Sequence, residues 1–270
     1  MRVSVVQMDV VTGDTRANLE TALRGIGEAA EAGAEVVLLP ELWTAGYVWL
    51  AGADYRGPRE ALHVAEDVAT EEVLSALGER AKETGIWLVA GSLPELTEEG
   101  VRNTTPVIDA RGEVVHQYSK VHLIDLMKEP DHLVAGDRCE TFALGPWRAG
   151  VMICYDLRFP ELARGLAVDG AGLIFLPAQW PEPRIDHWKT LVRARAIENQ
   201  CYVVACNRVG IGGADRFPGE SMIVDPVGKV LARGGEGPCV LTVQIDVNVV
   251  RKTREFLPCL EDRRPEIYGQ

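Results

Sequence analysis

Apolar residues recur along this chain with two periods. VSVVQM (3–8), EVVLLPEL (35–42), GVMIC (150–154) and LIFLPA (173–178) are short, nearly continuous apolar runs, the pattern of strands buried on both faces. Between the first two, Leu19, Ala22, Leu23, Ile26 and Ala30 follow helical spacing, and Gly33 is placed to stop that helix. A second helix fits 71–82, with IWLVAGSLPE after it as one more buried strand. PELARGLAVDG, opened by Pro160, and DHWKTLVRARAIENQ read as helices, and CYVVACNRVG as a strand. Two stretches have the form of hairpins: TPVIDARGEVVHQYSK, turning at Ala110-Arg111-Gly112, and ESMIVDPVGKVLARG, turning at Asp225-Pro226-Val227-Gly228. CVLTVQIDV adds a strand before a short helix and a polar tail. The segments 43–58 and 121–139 lack a period and read as loops. The second, at roughly twenty residues, is longer than a compact domain keeps without use and is a candidate pocket wall.

Strands alternating with helices, and no Ser/Gly/Pro-rich linker, predict one α/β domain over 1–270. The paired hairpins hint at two comparable halves. With 40 acidic against 28 basic residues, a formal charge of −12 repels phosphate backbones and anionic lipid, which argues against nucleic-acid and membrane partners. Asp9 interrupts any signal-like start, and no apolar stretch of about 18 residues occurs, so a cytoplasmic location is expected. The six cysteines contain no C-x-x-C pair, and His116 and His122 have no metal-like spacing; neither a metal site nor a disulfide framework is expected.

Three polar residues share one setting. Glu41, Lys120 and Cys154 each stand at the C-terminal end of an apolar run, where α/β sheets gather ligands. Each alone has an ordinary explanation: a buried core thiol, a helix-start carboxylate, a solvated strand-end cation. Together they make a nucleophilic set in which the carboxylate takes the thiol proton and the ammonium steadies an oxyanion. A free thiol is only a few per cent ionised at neutral pH, and an ammonium at about 4 Å offers as much as about 4 kcal/mol toward the thiolate. A neighbouring carboxylate offsets much of that gain, so proton transfer concerted with attack is expected rather than a standing thiolate.

LLPELW around Glu41, YSKVHL around Lys120 and ICYDLRFPEL around Cys154 resemble, in order, the three signatures of the nitrilase-like carbon-nitrogen hydrolase superfamily. The resemblance spans nearly the whole chain. It implies an α-β-β-α sandwich, commonly paired into a homodimer or higher homo-oligomer, and no metal or organic cofactor. It further implies Cys154 as nucleophile, Glu41 as general base, Lys120 and the backbone N–H of Tyr155 as oxyanion donors, and Glu129, nine positions beyond Lys120, as a residue orienting the lysine or the substrate amide. A loop surface charge is the other reading of Glu129.

Residues 177–210 resemble the omega-amidase subgroup, which acts on 2-oxo acid amides such as 2-oxoglutaramate. Trp180, Pro181 and Arg184 then fall on the loop beyond the strand next to that of Cys154. A substrate ending in carboxylate suits a guanidinium fork, with Arg158 and Arg184 as candidates; Arg158 could instead pair with Glu161 or Asp156. Arg193 and Arg195, near Glu198, read as packing and salt-bridge residues. Enzymes cleaving N-carbamoyl amino acids tend to carry two arginines soon after the cysteine, where this chain has Leu157-Arg158. Nitrilases match CYDLRFPEL less well, and a broader aliphatic amidase stays open. A serine hydrolase is disfavoured because GESMI lacks the second glycine of G-x-S-x-G, and GIGGAD is a poor approach to a dinucleotide motif. A catalytically silent assembly scaffold would have no reason to bury three polar groups.

Overall fold

In the computed structural model, which describes residues 1–50 and 70–268, two mixed β-sheets lie face to face with helices on their outer faces. The first sheet runs β15-β1-β2-β3-β5-β4, with β6 on the other edge of β5. Its strands are β1 (Arg2–Gln7), β2 (Val36–Leu38), β3 (Trp87–Val89), β4 (Leu93–Leu96), β5 (Val101–Ile108), β6 (Val114–Ser119) and β15 (Cys239–Gln244). The second runs β14-β13-β10-β9-β8-β7, from β7 (Phe142–Leu144), β8 (Trp147–Val151), β9 (Leu173–Ala178), β10 (Tyr202–Asn207), β13 (Met222–Val224) and β14 (Val230–Arg233).

The period of two along each strand builds the layers. Val3, Val5, Val36 and Leu38 face the second sheet and pack with Val151, Phe175 and Val203, whereas Val6, Val37 and Leu39 face outward. The outward set is covered by Ala22, Ile26 and Ala29 of α1 (Thr15–Glu31) and Val73, Leu77 and Ala81 of α2 (Thr70–Thr84). On the far side, α3 (Pro160–Val168) and α4 (Ile185–Asn199) send Leu166, Trp188 and Val192 into the core. Each fully buried side chain of this kind is worth about 1.5–3 kcal/mol against solvent exposure. The expected α-β-β-α sandwich is the observed one. Past it, α5 (Val247–Phe256) and α6 (Pro265–Tyr268) close the described chain.

The two sheets share a plan. β1, β2 and β3 pair in parallel, as do β8, β9 and β10, and the two anticipated hairpins, β5/β6 and β13/β14, add antiparallel strands beside each parallel set.

Three expectations need correction. IWLVAGSLPE is two strands, because the chain kinks at Gly91 (φ 66°), where a Cβ would lie 2.0 Å from the Pro40 carbonyl oxygen. CYVVACNRVG breaks at Arg208, and a hairpin not anticipated follows, β11 (Val209–Gly212) with β12 (Asp215–Pro218). Cys154 does not end a strand: β8 stops at Val151, and the cysteine opens a 3-10 turn over Cys154–Arg158. Of the expected loop 43–58, residues 51–58 lie outside the described residues.

Candidate active site

The chain beyond β2 turns sharply at Glu41. Leu42 is held at φ 39°, a conformation that costs a non-glycine residue roughly 1–2 kcal/mol. Its N–H donates to Ser92 Oγ at 2.9 Å. Lys120 follows β6 directly, and its backbone N–H donates to the Asn103 carbonyl on β5 at 2.8 Å. Glu129 comes from the segment 121–139, which carries two 3-10 turns, Asp125–Met127 and Glu129–Asp131. Cys154 sits at φ 44°. The carboxylate of Asp156 fixes that turn from below: it accepts from Ile153 N–H (2.9 Å), Tyr118 OH (2.6 Å) and His122 N–H (3.0 Å), and its Oδ1 meets His122 Nδ1 at 2.8 Å.

The structure brings Glu41, Lys120, Glu129 and Cys154 to one buried place. Glu41, Lys120 and Glu129 are fully buried, and Cys154 is 5% exposed. Lys120 Nζ donates to Glu41 Oε1 at 2.8 Å and to Glu129 Oε1 at 2.6 Å. Glu41 Oε1 also accepts from Asn103 Nδ2 at 2.9 Å, and its Oε2 from the backbone N–H of Gln179 at 2.9 Å. Glu129 is held by Tyr47 OH at 2.7 Å and by the N–H of Ile124 at 2.8 Å. The Cys154 thiol lies 3.8 Å from the Gln179 carbonyl oxygen. Glu41 and Lys120 thus follow strands of the first sheet, Cys154 and Gln179 follow strands of the second, and Glu129 comes from the connection between the two.

Burial works against the charge of Lys120, but Glu129 and Glu41 outweigh it and hold the ammonium well above its ordinary pKa. Burial pushes the Cys154 thiol well up, Glu41 adds to this, and Lys120 opposes it. The group held in the fold is therefore the thiol, with the Glu41 carboxylate among its neighbours. Burial also raises Glu129 despite Lys120, and raises Tyr47, keeping that phenol a donor.

Arg158 and Trp180 come together, with the guanidinium carbon 4.7 Å from the indole ring centre. Arg158 Nη1 also reaches His187 Nδ1 at 3.3 Å. It pairs with neither Glu161 nor Asp156 among the described residues. Trp180 is buried, and its Nε1 donates to the Arg184 carbonyl at 2.7 Å. The Arg184 guanidinium makes no hydrogen bond among the described residues. Arg195 meets Glu198 at 2.8 Å and donates to the Leu157 carbonyl, while Arg193 donates to that of Gly228. Arg195 thus forms the expected salt bridge, whereas Arg193 pairs with no acid among the described residues. His116 stacks on Phe142 and His122 on Phe159.

Sequence reasoning missed Tyr47, Asn103, Asp156 and Gln179. Apart from that of Asp156 with Ile153, their side-chain hydrogen bonds at the site reach partners 29 or more positions away, and nothing local marks them.

The carbon-nitrogen hydrolase family model matches residues 2–255. The chain belongs to this family. A carbon-nitrogen hydrolase acting on amides is what its relatives describe as well. The chain is 39% identical to a 2-oxoglutaramate amidase of Bacillus subtilis (strain 168), covering 98% of each. It is 36% identical to a human deaminated glutathione amidase, covering 96% of this chain and 81% of the other. A solved amidase from Nesterenkonia sp. superposes with a TM-score of 0.84 at 30% identity, covering 100% of this chain and 95% of that one. A mutant of the amidase from Nesterenkonia sp. AN1 carries acrylamide added to its active-site cysteine.

Proposed function

We propose that this carbon-nitrogen hydrolase cleaves the terminal amide of a short 2-oxo dicarboxylic acid amide of the 2-oxoglutaramate kind, releasing ammonia through a cysteinyl thioester. The observation that carries the reading is the convergence of Glu41, Lys120 and Glu129 on the buried thiol of Cys154. As Sγ attacks the amide carbon, Glu41 takes the thiol proton. The oxyanion is met by Lys120 Nζ and the Tyr155 N–H. Glu41 then hands its proton to the departing nitrogen, and ammonia leaves as the carbonyl reforms. Glu41 next deprotonates water, which attacks the thioester, and the carboxylate product departs with the thiol restored. Glu129, tied to Tyr47 and Ile124, fixes Lys120 in place throughout.

The 2-oxoglutaramate assignment is supported by the relative in Bacillus subtilis. Arg158, steadied on Trp180, is the cation for the substrate carboxylate, with Arg184 as the alternative. The test is ammonia release measured side by side on 2-oxoglutaramate, glutamine, an N-carbamoyl amino acid and an aliphatic nitrile. Preference for any but the first overturns the substrate and leaves the family intact.

We further read the chain as a cytoplasmic homodimer. Ile197 on α4 and Phe256 and Leu257 at the end of α5 are exposed apolar side chains that a second copy would cover. A monomer in sedimentation at micromolar concentration would refute that assembly.

A further inference from the structure

Arg208 is fully buried, yet its one carboxylate partner among the described residues, Asp9 at 3.0 Å, is half exposed. The remaining donors go to backbone carbonyls and one side chain. Nε donates to Val209 O (3.0 Å), and Nη2 to Val10 O (2.7 Å) and Ile211 O (3.1 Å). Nη1 donates to Gln179 Oε1 at 3.2 Å. Enclosing a cation this completely costs several kcal/mol, and burial indeed lowers the guanidinium pKa. Its contact with Gln179 points to a use.

Once Oε1 of Gln179 accepts from Arg208, the amide can point only one way, with Nε2 as donor on the opposite side. Nε2 donates there to the carbonyl of Glu41 at 2.8 Å and to that of Leu42 at 3.3 Å. Those carbonyls belong to the base itself and to the neighbour held at φ 39°. The Gln179 backbone N–H binds the Glu41 carboxylate, and its carbonyl lies beside the Cys154 sulfur. One residue therefore grips the main chain and the carboxylate of the base and borders the nucleophile.

We infer that Arg208 and Gln179 form a positioning relay for Glu41, in which the guanidinium fixes the Gln179 amide and the amide clamps the turn that aims the carboxylate. Neither is a catalytic residue. The inference rests on Glu41 being the base. A displacement near 1 Å at a reacting group costs on the order of 100-fold in rate, so a loosened clamp lowers turnover without weakening substrate binding.

Gln179→Glu tests this by keeping an oxygen for Arg208 and replacing the donor to the two carbonyls with a carboxyl oxygen, and Gln179→Met, which loses the same donor without adding charge, checks that the effect is not that of the new acid. The expected result is a kcat about 10- to 100-fold lower with KM changed less than about threefold. Arg208→Lys should lower kcat by about tenfold, and the double variant should be no worse than Gln179→Glu alone. Losses that multiply in the double variant, or a folded Gln179→Glu enzyme with wild-type kcat, overturn the relay. If Arg208→Lys does not fold, Asp9→Asn at its half-exposed position loosens the same guanidinium; an unchanged kcat there likewise overturns the role of Arg208. Glu41→Gln is the control: residual activity in that variant removes the base assignment itself, whatever the relay does.

Discussion

Cys154 and Cys206 are both buried thiols at the heart of the sandwich, and burial raises the pKa of both well above the ordinary value. Their surroundings differ. Cys206 lies within β10 and points its sulfur at the Val6 carbonyl, 3.3 Å away across the sheet interface. Cys154 sits in a left-handed turn, beside an acid and an ammonium. Depth and acidity alone therefore do not tell the two thiols apart. The backbone conformation and the charged neighbours do.

The largest expected effect is at the nucleophile. Cys154→Ala should abolish ammonia release while the far-UV circular dichroism and melting temperature stay near wild type; retained turnover would remove the assignment. Cys206→Ala should do the reverse, keeping kcat within about twofold and losing about 1–2 kcal/mol in denaturant titration through the small cavity it leaves. Next comes Lys120→Gln, expected to lower kcat by about 100- to 1000-fold, the usual worth of one oxyanion donor. A loss under tenfold in steady-state kinetics would deny it that role. Tyr47→Phe removes a single hydrogen bond to Glu129 and should cost about three- to tenfold in kcat.

The smallest effect concerns pH, where the two thiols should behave alike. Each keeps its proton in the fold at a pH where the unfolded chain, with a thiol pKa of about 8.5, has released it. The folded state then binds more protons than the unfolded one, so stability falls as pH rises past that value. Cys154→Ala and Cys206→Ala should each flatten this alkaline decline in denaturant titrations. A decline that neither variant softens would show that the thiols are not held protonated.

How much of this is legible in the sequence follows from which contacts are local. LIFLPA is continuous and apolar, and β9 covers it end to end, Pro177 included. The helix signalled by Leu19, Ala22 and Ile26 spans Thr15–Glu31. The glycine at 91 is visible in the sequence, but its role depends on the Pro40 carbonyl approaching from the segment after β2, so the split of β3 from β4 is not. The hairpin β11/β12 is short and half-exposed, with too little alternation to read. At the site, the motifs around Glu41, Lys120 and Cys154 mark where to look. Gln179 meets Glu41 from 138 positions away and Arg208 meets the site through Gln179, and neither leaves a local pattern.

Because the acid and the amine hang from one sheet and the sulfur from the other, a nascent chain holds no assembled centre until both halves have docked. Until then the cysteine is an ordinary thiol, without the acid and the ammonium beside it. Recovery of turnover after dilution from denaturant would accordingly time the closing of the sandwich, not the formation of either layer.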